Sequence, residues 1–257
     1  MVVSIGLVGC GSIGRRLAQE IQHRFEGQAR LIGIYDRNPK AAESLLRHLG
    51  GSIPILTPVK LARRCQLLIE AASAQAVGEL LPLAIKHRRS LLVMSTGGLL
   101  QHQRLVRKAR SLQIPLYVPS GALGGIDAIK AGAIGKLRSV TLTTRKPPKA
   151  FGLKGIAAPR QLFQGSAQQA VKKFPQNINV SATLALAGLG PTRTRVRIVA
   201  DPTLRHNIHE VVAVGSFGRL TVRTENRPSS NPKTSELAVL SAAATLRQIF
   251  DPIRVGT

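Results

Sequence analysis

Several kinds of residue are scarce in this sequence, and each scarcity excludes a class of protein. Only two cysteines, Cys10 and Cys65, occur among the 257 residues, and neither has the spacing of a metal or redox motif. We therefore expect no metal site and no disulfide framework, as is typical of a protein of the reducing cytoplasm. No apolar run reaches the roughly 20 residues that a membrane helix needs. The apolar residues 1–8 lead into a glycine turn, which predicts a buried strand and not a signal peptide.

Acidic and aromatic residues are also scarce. Twelve Asp and Glu oppose 37 Lys and Arg, which gives a formal net charge of +25, and aromatic residues make up 3%. Such a balance raises nucleic-acid binding as a hypothesis. The basic residues are dispersed in pairs such as Arg15-Arg16, however, and few aromatic side chains are present for bases to stack on. We therefore expect a solvated basic surface that attracts a dianionic substrate, and not a nucleic-acid partner.

Strands and helices alternate in the first 119 residues. The apolar runs that predict strands are almost continuous, as expected when both faces of a parallel sheet are covered. They span residues 2–8, 29–36, 67–72, 90–95 and 115–119, and helical patterns span 12–25, 39–49, 74–87 and 99–112. This alternation is typical of crossover units. We predict an α/β fold in which residues 1–119 form a Rossmann domain, a doubly wound parallel sheet.

The pattern changes after Ser120. Residues 139–145 and 195–200 alternate apolar with polar side chains, which predicts a sheet with one wet face, and glycines predict a hairpin of 210–214 with 219–224. Helical stretches cover 167–174, 180–187 and 235–249. We predict that residues 120–257 form an α+β domain with a mixed sheet for catalysis and dimerisation, and that its last helix packs back on the first domain.

A glycine-rich turn joins the first predicted strand to the first helix. In Gly9-Cys10-Gly11-Ser12-Ile13-Gly14, the first glycine permits a tight turn, the second leaves room for a pyrophosphate, and the third lets helix and strand pack closely. Unpaired N–H groups at the helix start point at the phosphates. We predict that these six residues bind NAD or NADP. The alternative is an ordinary strand-to-helix turn.

The ends of later strands extend this cofactor site. Asp36 ends the second strand, where an acid accepts hydrogen bonds from the ribose of NAD, whereas the adjacent Arg37 suits the 2′-phosphate of NADP. The choice between the two cofactors stays open. Open parallel sheets bind ligands at the carboxyl ends of their strands, and two further strands end there in Ala72-Ser73 and Ser95-Thr96.

Five polar or glycine-rich segments of the second half do not have the pattern of core-packing sequence. They are residues 119–127 (PSGALGGID), 146–149 (KPPK), 177–180 (NINV), 200–209 (ADPTLRHNIH) and 231–235 (NPKTS). In order and spacing they resemble the L-aspartate dehydrogenase family, from residue 3 to residue 249. The resemblance implies reversible NAD(P)-dependent oxidation of L-aspartate to iminoaspartate, which water converts to oxaloacetate and ammonia. It also implies that the iminoaspartate feeds NAD biosynthesis.

The resemblance also assigns a catalytic role to His209 and places Ala122 and Asn179 near the cofactor. Histidine titrates close to neutrality and suits the proton exchanges of amino-acid oxidation and imine hydrolysis. His206 lies three residues before His209, and in a strand this odd spacing sends the two to opposite faces, so that one can face the cofactor. The alternatives are ordinary core or surface histidines, and a helix-capping role for Asn179.

A four-carbon diacid requires cations for its two carboxylates. Lys146, Lys149 and Lys233 lie beside prolines that stiffen their loops, and we predict that they bind the substrate together with His206 and Asn207. The alternative is that these lysines are simply solvated.

Two other functions remain open from the sequence. One is a related two-domain reductase that acts on another small acid, of the dihydrodipicolinate or homoserine type. The other is a non-enzymatic protein that senses a dinucleotide or binds nucleic acid. For the enzyme we expect a homodimer.

Overall fold

The computed structural model describes residues 2–174, 179–231, 234–253 and 255–256. The chain divides into two compact units. The first comprises Met1–Pro119 with Ala242–Ile253, and the second comprises Ser120–Ser241 with Arg254–Thr257. No helix among the described residues is both long enough and apolar enough to cross a bilayer.

The first unit is built on a five-stranded parallel sheet in the order β2-β1-β3-β4-β5. The strands are β1 (Val3–Val8), β2 (Ala29–Tyr35), β3 (Leu67–Glu70), β4 (Ser90–Val93) and β5 (Leu116–Tyr117). Ile34 of β2 also forms an isolated parallel bridge with Ile55, which lies outside the named strands. The strand order reverses between β1 and β3, which is where such sheets bind ligands. The predicted parallel, doubly wound sheet is confirmed.

Six helices connect these strands, and side chains cap several of them. They are α1 (Ser12–Arg24), α2 (Pro39–His48), α3 (Pro58–Arg64), α4 (Ala74–His87), α5 (Gly97–Gln101) and α6 (Gln103–Ser111). The prediction of one helix over 99–112 is wrong, because the chain breaks at His102 into α5 and α6. Helix α3 was not predicted, although the Thr57 side chain caps it and Pro58 opens it, both common start signals.

The second unit contains a mixed sheet in the order β10-β9-β6-β8-β7. Its elements are α7 (Ile126–Ile134), β6 (Leu137–Lys146), β7 (Arg160–Ser166), α8 (Ala167–Lys173), α9 (Asn179–Ala187), β8 (Arg195–Ala200), β9 (Asn207–Gly215) and β10 (Gly218–Asn226). Strands β6 and β8 run parallel and the other pairs antiparallel. The predicted mixed sheet is confirmed, whereas β7 was not predicted.

One face of the mixed sheet is covered by helices. Val140 and Leu142 of β6 and Val211 of β9 form a buried cluster with Ile129 of α7 and Leu184 of α9. The intervening residues of these strands are partly or fully exposed, apart from the buried Ile208 of β9. This alternation follows from the two-residue period of a strand, and it fixes which side chains of β6 and β9 share the buried face.

The last helix, α10 (Glu236–Phe250), spans the boundary between the two units in sequence. Its Ala242 and Leu246 belong to the same buried cluster as Leu17 and Ile21 of α1. Phe250 adds a tilted ring contact with Phe25, at 5.3 Å between centroids. The core of the first unit therefore includes residues from the end of the chain.

We expect Leu246→Ala to lower the free energy of unfolding by about 2–5 kcal/mol, since Leu246 is 0% exposed and its loss leaves a cavity. Leu240→Ala on the same helix is the matched control, because Leu240 is 44% exposed and should change stability by about 0.5 kcal/mol or less. Urea unfolding of both variants measures the difference. Equal effects would contradict the assignment of this helix to the first core.

Candidate functional site

The glycine turn of the first unit is crowded on one side and open on the other. Gly9 has φ +101°, and a Cβ built on it would lie 2.8 Å from the Ala72 amide nitrogen. A Cβ on Gly14 would collide with the carbonyl oxygen of Gly9. At Gly11, by contrast, no described atom beyond its chain neighbours lies within 4 Å of such a Cβ. This open side, next to the start of α1, fits the approach of a pyrophosphate.

Asp36 is fixed beside this turn. Its Oδ2 accepts a hydrogen bond of 2.7 Å from the Cys10 amide, and its Oδ1 accepts one of 2.8 Å from the Asn38 amide. Each carboxylate oxygen has a further lone pair for a ribose hydroxyl. Burial and the Asp36 charge raise the pKa of the Cys10 thiol to about 12, so the thiol stays protonated and acts as a small spacer.

The Arg37 side chain binds two side chains of α4. It is exposed, its guanidinium forms an ion pair with Glu79, and its Nη1 donates a 2.9 Å hydrogen bond to the Gln75 side chain. The acid at the end of β2 is therefore oriented toward the glycine turn, while the adjacent base is occupied by residues of α4.

Four further predicted cofactor residues of the first unit lie where β3 and β4 end. Ala72 and Ser73 are exposed, and the Ser73 hydroxyl caps α4 by accepting from the Ala76 amide at 3.2 Å. Ser95 and Thr96 are buried. The sequence analysis assigned no role to Glu70, a fully buried acid that ends β3. The signal that could have pointed to it is a single acidic residue at the end of the apolar run Leu-Leu-Ile-Glu.

In the second unit, polar residues replace apolar ones at one end of the covered sheet face. Thr144 of β6 pairs with His209 of β9, which pairs in turn with Thr224 of β10. Directly paired residues of antiparallel strands share a face, and so do residues two apart in one strand, which adds Lys146. The Thr144 hydroxyl lies 3.0 Å from His209 Nδ1, and His209 is only 3% exposed.

Burial at this end of the sheet lowers the pKa values of two groups, His209 and Lys146. Burial, followed by the charge of Lys146, lowers the pKa of His209 to about 3. Burial also lowers the pKa of Lys146 to about 8. At neutral pH the imidazole is therefore uncharged and the ammonium is still charged. Because Thr144 holds Nδ1, Nε2 is the ring nitrogen suited to proton transfer.

The loop before α7 lies against the same strands. The carbonyl oxygen of Ala122 accepts hydrogen bonds from the Thr224 hydroxyl at 3.0 Å and from Asn226 Nδ2 at 3.2 Å. Behind Lys146, the Asp201 amide donates to the Lys146 carbonyl oxygen at 2.9 Å, so the end of β6 is tied to the loop after β8. The sequence reasoning had not assigned a role to Thr144, Thr224 or Asn226.

The structure brings only some of the predicted substrate residues together. Lys146 and His209 share the polar end of the sheet, and the partly buried Asn207 begins β9 opposite Asn226. His206 and Lys149 are exposed, the latter in the single helical turn Pro148–Phe151. Asn179 is exposed at the start of α9, and Lys233 lies outside the described residues. In the described ranges, no group of three or more His, Cys, Asp or Glu side chains is placed to hold a metal ion.

Two different family models match the two halves of the chain, one on each side of the division near residue 119. Residues 127–249 match the family model described as aspartate dehydrogenase, C-terminal, and residues 9–119 match that described as homoserine dehydrogenase, NAD binding domain. The L-aspartate dehydrogenase of Methanocella arvoryzae is 42% identical, over 98% of this chain and 99% of its own. That of Methanosarcina barkeri is 42% identical over 100% of both. The crystal structure of aspartate dehydrogenase from Thermotoga maritima superposes with a TM-score of 0.79 and 28% identity, covering 100% of both chains.

Proposed function

The chain belongs to the L-aspartate dehydrogenase family, and from this membership we propose that it catalyses the reversible, NAD(P)-dependent oxidation of L-aspartate. The oxidation yields iminoaspartate, which water converts to oxaloacetate and ammonia. The observation that carries the proposal is the pairing of a buried neutral imidazole, His209, with a buried cation, Lys146, at the end of one sheet face.

The first unit supplies the cofactor site in this proposal. The open side of Gly11 and the start of α1 receive the pyrophosphate, and Asp36 accepts from the adenosine ribose. When bound, the nicotinamide ring accepts the hydride that leaves Cα of aspartate. Ala72, Ser73, Ser95 and Thr96 line the edge of the same sheet, and the match to an NAD binding domain over residues 9–119 supports this role.

His209 is the proposed acid and base. Aspartate must lose a proton from its ammonium group before the C–N double bond can form, and Nε2 is the position that receives it. A bound dicarboxylate adds negative charge near the imidazole, which raises the pKa of His209 toward the working range. Water then adds to the imine carbon, and the same ring nitrogen returns its proton to the amino group, which leaves as ammonia when the C–N bond breaks and the carbonyl group forms.

Lys146 is the proposed partner of a substrate carboxylate. Its ammonium group is buried, and an ion pair in a poorly solvated site is stronger than one in water. Burial disfavours the charged form of Lys146, and a bound anionic substrate stabilises that form and raises the pKa of Lys146. Asn207, at the start of β9, is placed to add a polar contact on the same face.

Initial rates test the proposed reaction. Purified protein with aspartate and either NAD or NADP should produce the absorbance of reduced nicotinamide, and aspartate should exceed glutamate, alanine and homoserine in kcat/KM. Equal or faster turnover of homoserine would favour the related reductase. Absence of turnover, with DNA retention that falls steeply with salt, would favour the nucleic-acid-binding alternative.

Replacing the imidazole tests the residue assignment. We expect His209→Ala to lower kcat at least about a hundredfold, the usual contribution of a positioned acid or base, while the affinity for reduced cofactor is retained. His206→Ala should have a smaller effect, because His206 is exposed and lies before the strand. Full turnover by His209→Ala would remove His209 from the mechanism.

The charge of Lys146 should strengthen the binding of succinate, a dicarboxylate without an amino group. The lowered pKa means that Lys146 is charged below about pH 8 and neutral above it, so the inhibition constant of succinate should rise as pH passes through 8. In Lys146→Met the constant should be raised about tenfold or more at pH 7, and this pH dependence should disappear. Lys130→Met, at an exposed lysine of the same unit, is the control. An unchanged pH profile in Lys146→Met would contradict the assignment.

We further propose that NAD is preferred over NADP, since Asp36 faces the glycine turn and Arg37 is paired with Glu79. Glu79→Ala should release Arg37 and raise kcat/KM with NADP about two- to fivefold, because exposed ion pairs contribute at most about 1 kcal/mol. Glu43→Ala, which removes the charge of another exposed acid in the same unit, controls for net charge. If Glu79→Ala leaves the ratio of kcat/KM with NADP to kcat/KM with NAD unaltered, the proposed effect of the Arg37–Glu79 ion pair on cofactor choice is wrong.

We also propose that the enzyme is a cytoplasmic homodimer whose second unit serves both catalysis and dimerisation, and that its iminoaspartate feeds NAD biosynthesis. Two buried cysteines without a bridge support a reducing compartment. The face of the mixed sheet opposite the helices, which carries partly exposed residues such as Val212 and Val214, is the proposed contact. Light scattering that gives the mass of a single chain at micromolar concentration would rule out the dimer.

A further inference from the structure

Glu70 is a buried acid at the edge of the sheet where the cofactor is expected, and the proposed reaction gives it no direct role. It is the last residue of β3 and is 0% exposed. In the sheet register it lies between Val8, the last residue of β1, and Val93, the last residue of β4. An apolar residue would fill this position without burying a charge, so the carboxylate needs an explanation.

The Glu70 carboxylate joins the loops that follow two different strands. Its Oε1 accepts from the Ala72 amide at 2.8 Å and from the Ser95 hydroxyl at 2.9 Å. Its Oε2 accepts from the Ser95 amide at 2.8 Å. Ala72 and Ser95 are both expected at the cofactor edge. The side chain therefore fixes the spacing between the β3–α4 loop and the β4–α5 loop.

A third loop depends on the same carboxylate through backbone packing. The Ala71 amide donates to the Val8 carbonyl oxygen at 2.8 Å, just before the glycine turn. Gly9 lies so close to Ala71 and Ala72 that a Cβ at position 9 would overlap their backbone. A shift of Ala72 would thus move the turn that receives the pyrophosphate.

A carboxyl group matches this set of donors, because each of its two oxygens accepts from a different backbone amide. All three hydrogen bonds are donated to Glu70, and both of its oxygens are used. An amide has one acceptor oxygen, and its NH₂ group would face a donor. An aliphatic side chain would leave buried N–H groups unsatisfied, which is costly. Burial raises the pKa of Glu70, while its hydrogen bonds oppose that shift.

We propose that Glu70 is a positioning residue for the dinucleotide, holding the loops after β1, β3 and β4 in the spacing that the cofactor requires. This inference rests on the proposed function, because it assumes that the loops bind NAD. Glu70 does not itself touch the cofactor in this proposal; it acts through Ala72 and Ser95.

The test compares Glu70→Gln with Glu20→Gln in the full-length protein. Glu20 is also a buried acid of the first unit, but it lies within α1, where it pairs with Arg16 and Arg24 of the same helix. We expect Glu70→Gln to raise the Kd for NADH and the KM for NAD about tenfold or more, because one buried backbone N–H then faces an NH₂ group and loses its acceptor. Turnover at saturating NAD and the KM for aspartate should change about threefold or less. Glu20→Gln should leave the Kd for NADH unchanged.

A general folding defect would lower the concentration of active enzyme and would leave the KM for NAD unchanged. Wild-type affinity for NADH in a folded Glu70→Gln variant would overturn the inference. If that variant does not fold, Glu70→Asp keeps the charge but its shorter side chain cannot reach both loops, and we expect its Kd for NADH to rise at least about threefold. An unchanged Kd in Glu70→Asp would overturn the inference equally. Failure of the wild-type protein to bind NADH would instead refute the proposed function.

Discussion

The cofactor half of the molecule depends on one close approach between two stretches of backbone. Gly9 packs directly against Ala71 and Ala72, which no side chain at position 9 would permit. This contact lets β1 and β3 end side by side at the point where the strand order reverses, and so creates the crevice in which parallel sheets bind ligands. Asp36 on one side of the turn and Glu70 on the other then hold the surrounding amides.

The second unit obtains its polar site from the same alternation that builds its core. Every second residue of β6 and β9 faces the helices, and along most of their length these residues are apolar. At one end the same register presents Thr144, Lys146 and His209, without any change of backbone direction. The side chains proposed to act on the substrate therefore sit on strands and not on loops, and burial in the sheet lowers the pKa values of both His209 and Lys146.

Much of this architecture follows from local sequence, and the rest does not for identifiable reasons. Continuous apolar runs and the glycine turn predicted the parallel sheet correctly. Strand β7 was missed because Arg-Gln-Leu-Phe-Gln-Gly-Ser, at the edge of the sheet, does not alternate apolar with polar residues. Spacing predicted the two histidines on opposite faces of a strand, whereas His206 lies before β9 begins and only His209 is part of it. Proximity to proline likewise did not distinguish the buried Lys146 from the exposed Lys149.

The position of α10 has a consequence for biosynthesis. Its second half completes the apolar cluster around Leu17 and Ile21, although these residues leave the ribosome more than 200 positions earlier. The first unit is therefore discontinuous in sequence, and its synthesis precedes the arrival of its own last packing element. A nascent chain released after residue 119 would present an uncovered apolar surface on α1, and such surfaces promote aggregation. Cotranslational folding of this unit remains incomplete until α10 has emerged from the ribosome.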